Sequence, residues 1–148
     1  MKSLWPSNQG DDNRFWTHEW NKHGTCVSTI EPKCYDPDTF TKGLDVADYF
    51  KTVLDLVDKY PIYQILKSNN IVPTDVVKGK PKTLYELAQF KEAVEKELGY
   101  APTVHCVGQR LNELRLYFFV KNKSEFILTP PQARDTCRRI AYNKKAVR

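Results

Sequence analysis

The sequence predicts an α+β fold, with helices packed around an antiparallel β-sheet. Two observations carry this. Apolar residues recur at three- and four-residue steps between Leu44 and Tyr60, the period of an amphipathic helix. After Gly99 the pattern changes to short β-type runs bounded by turn residues. Helices first and strands later distinguish this class from the alternating pattern of a parallel α/β sheet. At 148 residues the chain reads as one domain, 1–148, long enough to bury a core.

Each element follows from local signals. Residues 14–22 form a short helix preceded by the turn-rich SNQGDDN. Residues 26–41 form a loop punctuated by Cys26, Pro32, Cys34 and Pro37. In the long helix Val46, Phe50, Val53, Leu54 and Val57 make the apolar stripe. Pro61 opens a further short helix through Leu66, and 73–82 (PTDVVKGKPK) is a loop. Thr83 is placed as the cap of the next helix, Glu86 completes its capping box, and Gly99 stops it. Thr103–Val107, Leu114–Val120 and Glu125–Thr129 then read as a meander with turns at Gly108–Asn112 and Asn122–Ser124. Leu114, Leu116, Phe118 and Val120 share one face of the middle strand, with Arg115, Tyr117 and Phe119 on the other.

No apolar run approaches the roughly 18 residues needed to cross a bilayer. The net charge of +5, from 23 basic and 18 acidic residues, is a moderate bias towards an anionic partner such as nucleic acid. Arg138, Arg139, Lys144, Lys145 and Arg148 read as a solvated tail. The cysteines, at 26, 34, 106 and 137, show no CxxC pair, which favours disulfides in an oxidising compartment over structural zinc. The N-terminal MKSLWPSNQGDD has no signal-peptide apolar segment. A disulfide-type chain without an export signal leads to the expectation that the start of the protein is missing.

The densest chemistry lies in FWTHEWNKHGTC, residues 15–26, which holds two of the chain's three histidines. At about 100° per residue on a helix, His18, Lys22, Phe15, Glu19 and His23 fall within an arc of about 140°. Trp16 and Trp20 lie on the adjoining flank, where they can anchor the helix to a core. A zinc helix needs histidines four apart, as in HExxH, whereas His18 and His23 are five apart with Lys22 at the ligand position. Glu19 and Lys22 alone could be an ordinary solvated i,i+3 pair. The histidines tilt the reading towards proton transfer, with cations to hold an anion and Glu19 to orient or tune an imidazole. Such a group suits phosphoryl chemistry without a metal.

FWTHEWNKHGTC closely resembles the second active-site motif of the ribonuclease T2 family, acid and largely base-nonspecific endoribonucleases, most strongly in its fungal members. The resemblance extends over CVSTIEPKCYD and DVADYF, and more loosely over TVHC and LRLYFFV, and so covers most of the chain. It implies a single-stranded RNA substrate, cleaved by 2′-OH attack to a 2′,3′-cyclic phosphate that water opens to a 3′-phosphate. His23 is similar to one of the two general acid–base histidines, and His18 to the histidine that positions phosphate. Glu19 and Lys22 match residues that stabilise the transition state. Phe15, with Pro6, Ser7, Asn8 and Gln9, resembles the subsite for the base on the 3′ side of the cut. Core packing of Phe15 is the competing expectation.

The family's first motif reads His-Gly-Leu-Trp-Pro. Here Lys2 and Ser3 precede Leu4-Trp5-Pro6, and only eight residues separate Pro6 from Phe15. The resemblance therefore places MKSLWP at the end of the helix between the two motifs, so the first motif is expected to be absent rather than mutated. The expectation follows of weak cleavage, or of an inactive RNA-binding or interaction relative. His105, a lone strand histidine, is expected to be structural. The resemblance further implies a Cys106–Cys137 bridge, partners for Cys26 and Cys34 in the absent region, and an open sheet edge. It also implies a monomer without cofactor, metal or membrane partner, secreted or held in a vacuolar or lysosomal compartment.

Overall fold

Helix α1 (Asp12–Lys22) begins where Asp11 accepts a hydrogen bond from the Arg14 N–H at 3.0 Å, satisfying one of the first-turn donors. The computed structural model describes residues 1–7, 9–122 and 125–144. Three 3₁₀ turns follow α1 (Gly24–Cys26, Ser28–Ile30, Pro32–Cys34), then α2 (Leu44–Lys59), α3 (Ile62–Ser68), β1 (Val76–Val77), β2 (Lys80–Pro81) and β3 (Tyr85–Glu86). The chain continues through α4 (Leu87–Leu98), β4 (Thr103–Val107), β5 (Arg110–Arg115), β6 (Tyr117–Lys121), β7 (Glu125–Thr129) and β8 (Arg139–Ile140). This is the α+β class read from the sequence. The strands form four two-stranded sheets rather than one meander: β1–β2, β3–β8, β4–β5 and β6–β7. The expected strand Leu114–Val120 is divided at Leu116, because its first part pairs with β4 and its second with β7. Among the described residues no helix is long and apolar enough to cross a membrane.

The chain divides into two compact units. The first, residues 1–60 with 120–125, holds α1 and α2. Neither helix carries a fully buried residue. The sequence placed Trp16 and Trp20 against a core, yet both are only half-buried. What holds this unit together is a set of edge-to-face aromatic contacts: Trp5 with Phe15 and Phe50, each at 5.8 Å, and Tyr49 with Trp20 at 5.7 Å and Phe50 at 5.1 Å. Such pairs contribute about 0.5–1.5 kcal/mol each beyond the area they bury. Tyr35 adds a hydroxyl bond to Asp48 on α2 at 2.9 Å.

The second unit, residues 61–119 with 126–148, contains the buried apolar core. Phe90 and Val94 of α4 and Val104 of β4 are fully enclosed, as is Ile140 of β8. Burying side chains of this kind stabilises by about 1.5–3 kcal/mol apiece. The N-cap of α4 is Glu86, not Thr83, and its capping-box partner is Gln89. Tyr85 and Glu86 are drawn into pairing with Ile140 and Arg139, which delays the helix by one strand. Gly99 closes α4 at φ 81°, as the sequence indicated. In β4–β5 a register shift falls between His105 and Cys106. Cys106 and Cys137 are joined by a disulfide, Cα–Cα 5.7 Å, which ties the segment before β8 to β4.

Candidate active site

Helix α1 and the segment leading into it carry most of the residues singled out in the sequence. Ser7 is the hinge of the approach: its N–H donates to Asp12 Oδ1 at 2.7 Å, and its Oγ accepts from the Gln9 N–H at 3.1 Å. Pro6 and Gln9 are exposed, while Asn8 lies outside the described residues. The Trp16 indole N–H donates to the Trp5 carbonyl at 2.9 Å, and Trp5 also packs its ring on Phe15. The approach segment and the helix are thus fastened together at three points.

That fastening leaves an open cleft of about 520 Å³ lined by Ser7, Gln9, Asp11, Arg14, Phe15 and His18. Its size suits a nucleobase and part of a sugar-phosphate. Phe15 is half-buried, so it packs against Trp5 and also contributes to the cleft wall. Packing against Trp5 thus leaves part of the ring on the cleft wall. Asp11 and Arg14 were missed in the sequence. Their only signal was an i,i+3 spacing at the helix start, which Asp11 uses for capping.

At the other end of α1, the Glu19 carbonyl accepts the His23 N–H at 3.0 Å, and His23 is the C-cap. Even so, the His18 and His23 rings stand edge to face with centroids 6.4 Å apart. Both imidazoles and the Lys22 ammonium are exposed, and Glu19 is half-buried. Lys22 in the last turn is also favoured by the negative end of the helix dipole. Thr25 Oγ1 donates to the Asn21 carbonyl at 3.0 Å, and Cys26 Sγ contacts the Lys22 carbonyl at 3.6 Å, satisfying acceptors the helix leaves open. Tyr49 of α2 faces this end as well. Burial pushes its phenol above the ordinary range, and the negative charge of Glu19 adds to the effect. Sequence reasoning passed over Tyr49, although DVADYF had been noted.

The arrangement offers two imidazoles, a cation, a carboxylate and a cleft bounded by an aromatic ring. His105 is elsewhere: it lies half-buried in β4 of the second unit, in register with Glu113. Cys26 is exposed. Among the described residues no three His, Cys, Asp or Glu side chains converge as a metal site would require.

Residues 1–137 match the family model of the ribonuclease T2 family. The chain belongs to this family. It is 36% identical to ribonuclease Rh of Rhizopus niveus over 137 residues, which is 93% of this chain and 53% of that protein. Ribonuclease Trv of Hypocrea rufa is likewise 36% identical, over 141 residues covering 93% of this chain and 57% of the relative. The chain thus spans about half the length of these family members. The crystal structure of Actibind, a T2 ribonuclease, superposes with a TM-score of 0.88 at 33% identity, covering 99% of this chain and 62% of Actibind. Human RNase T2, at 22% identity, shares the family fold with a TM-score of 0.71 over 97% of this chain and 68% of its own.

Proposed function

We propose that this chain is an RNA-cleaving endoribonuclease of the T2 type, contributing one half of the acid–base machinery and a subsite for the base 3′ to the cut. The observation that carries the proposal is the edge-to-face pair His18–His23, 6.4 Å apart, on the helix that also lines the Phe15 cleft. In this reading His23 moves a proton as the 2′-oxygen attacks phosphorus and the 5′-oxygen leaves. The product is a 2′,3′-cyclic phosphate, which water opens to a 3′-phosphate. His18 holds a phosphate oxygen. Lys22 stabilises the charge that builds up in the five-coordinate state, a fixed cation serving where other phosphoryl enzymes use a metal, and Glu19 supports that state by orienting the cationic groups beside it. Phe15, with Pro6, Ser7, Asn8 and Gln9, receives the base by stacking.

The reaction needs both an acid and a base, and His23 supplies one. General acid–base groups commonly contribute 10²–10⁴-fold each. The 148-residue chain by itself therefore cleaves RNA slowly while still binding nucleotides. A second reading, an inactive RNA-binding relative, is favoured by one observation: the third histidine, His105, is held in β4 rather than in the cleft wall. The disulfide fits secretion or a vacuolar compartment. Incubating the chain with single-stranded RNA at mildly acidic pH, and analysing for cyclic-phosphate ends, separates the readings. Cleavage lost in His23→Ala supports the enzyme. Binding without cleavage, weakened by His18→Ala, supports the second reading, and neither activity overturns both.

A further inference from the structure

The ribbon from Asp75 to Lys82 takes no part in the cleft and has its own character. Val76 pairs with Pro81 and Val77 with Lys80, and the turn between them is Lys78–Gly79 with φ of 49° and 75°. Two successive left-handed residues make a tight hairpin of the kind that prefers Asn-Gly, since a longer side chain is crowded there. The other non-glycine residues with positive φ among those described are Asn70 and Asn122, the type that tolerates it. Among the described residues, only at this tip does a lysine occupy such a position. A residue held in an unfavourable backbone region points to a use for its side chain.

The charge around the tip indicates that use. Lys78, Lys80 and Lys82 are exposed, and Lys144 lies alongside, its N–H donating to the Thr74 carbonyl at 2.9 Å. The ribbon's one carboxylate, Asp75, is engaged by Lys144 Nζ at 3.0 Å. Val76 and Val77 are 49% and 56% exposed, so the hairpin stands clear of its unit's core.

We propose that this lysine ribbon is an accessory contact for the phosphate backbone of single-stranded RNA, additional to the nucleotides held at α1. The proposal rests on the RNA reading above and adds a second contact to it. Lysines that neutralise phosphates release counterions, so the contact is read as salt dependence.

The test uses the full chain with a fluorescent, 2′-O-methylated single-stranded 12-mer and the matching dinucleotide, titrated over a series of salt concentrations. Lys78→Gln/Lys80→Gln/Lys82→Gln weakens 12-mer binding about tenfold at low salt. It also lowers the slope of log K against log salt by about two, from three phosphates at about 0.7 each. Dinucleotide binding is unchanged. Lys78→Asn raises the urea midpoint while weakening 12-mer binding, separating function from folding. An unaltered slope in the triple variant overturns the proposal. So does a 12-mer that binds no more tightly than the dinucleotide, a result that leaves the α1 reading intact. Binding of neither ligand removes the RNA reading and the ribbon together. Loss of binding to phosphatidylserine vesicles alone, with RNA binding retained, overturns it in favour of a membrane surface.

Discussion

Gly24 and Trp20 leave no room between them: a Cβ added to Gly24 would stand 2.7 Å from Cζ3 of the indole and overlap its neighbour Cε3. The indole also packs edge to face on the Tyr49 ring, a contact that its withdrawal would disturb. Gly24 also follows His23 directly, at the point where the chain leaves α1. Gly24→Ala is therefore expected to displace Trp20 and the histidine beside it. Overpacking of this kind costs about 1–3 kcal/mol. Urea unfolding followed by tryptophan fluorescence measures the loss, and nucleotide binding at α1 should weaken with it. Unchanged stability and binding would mean that the ring swings aside freely.

Tyr35 makes a pH prediction. Burial, then the hydrogen bond to Asp48, pushes its phenol up to about 12. A phenol whose folded value exceeds its unfolded value of about 10 favours the fold while protonated. Its contribution is complete below pH ~10 and is lost as pH rises towards about 12. Tyr35→Phe should remove this alkaline dependence and lower neutral-pH stability by about 0.5–1.5 kcal/mol, the net value of one hydrogen bond. Paired denaturation curves at pH 7 and pH 11 check both parts.

Asp135 has two partners at once. Its carboxylate takes the Lys91 ammonium at 2.8 Å and the Val104 N–H at 2.8 Å. Val104 is fully buried, so removing the acceptor strands a backbone donor away from water. Asp135→Ala should cost about 1–3 kcal/mol. Lys91→Ala, which leaves the N–H bond in place, should cost less. Equal losses in the two variants would show that the ion pair, rather than the amide bond, dominates.

The Cys106–Cys137 disulfide closes a loop with a sequence separation of 31. On the chain-entropy model such a loop contributes roughly 3–4 kcal/mol by restricting the unfolded chain. Cys106→Ser/Cys137→Ser should lower the urea midpoint by a corresponding amount. Peptide mapping without reductant should recover the linked pair.

The sequence disclosed those parts of the molecule whose causes are local. The α2 periodicity ends at Lys59, one residue from the reading, because the apolar stripe is intrinsic to the segment. The α1 reading missed only its start, at Asp12, two residues early. Where partners are distant, the sequence was silent. Glu86 replaced Thr83 as a cap because residues 139–140 pair with Tyr85 and Glu86. Leu116 gave no sign that its strand changes partner there. In the site, His18 and His23 could be placed on one arc by counting, whereas Tyr49 needed a second helix to bring it near Glu19. For the tryptophans, periodicity gave the direction but not the depth, which stops short of full burial.

The segment 133–137 does more than carry a cysteine. Beside β4, Ala133 O accepts from Thr103 Oγ1 at 3.2 Å, and the Thr136 N–H donates to the Val104 carbonyl at 3.1 Å. The Thr136 hydroxyl then accepts the Cys106 N–H at 2.8 Å. These are the places a neighbouring strand would fill, taken here by side chains and irregular backbone. The side of β4 facing away from β5 is consequently blunted, and a foreign strand finds no ladder to extend. The disulfide holds that cover in position. Without that bond, the cover over the amide and carbonyl groups of Thr103–Val107 would rest on these hydrogen bonds alone. The bond that steadies the fold thus also keeps a strand edge covered.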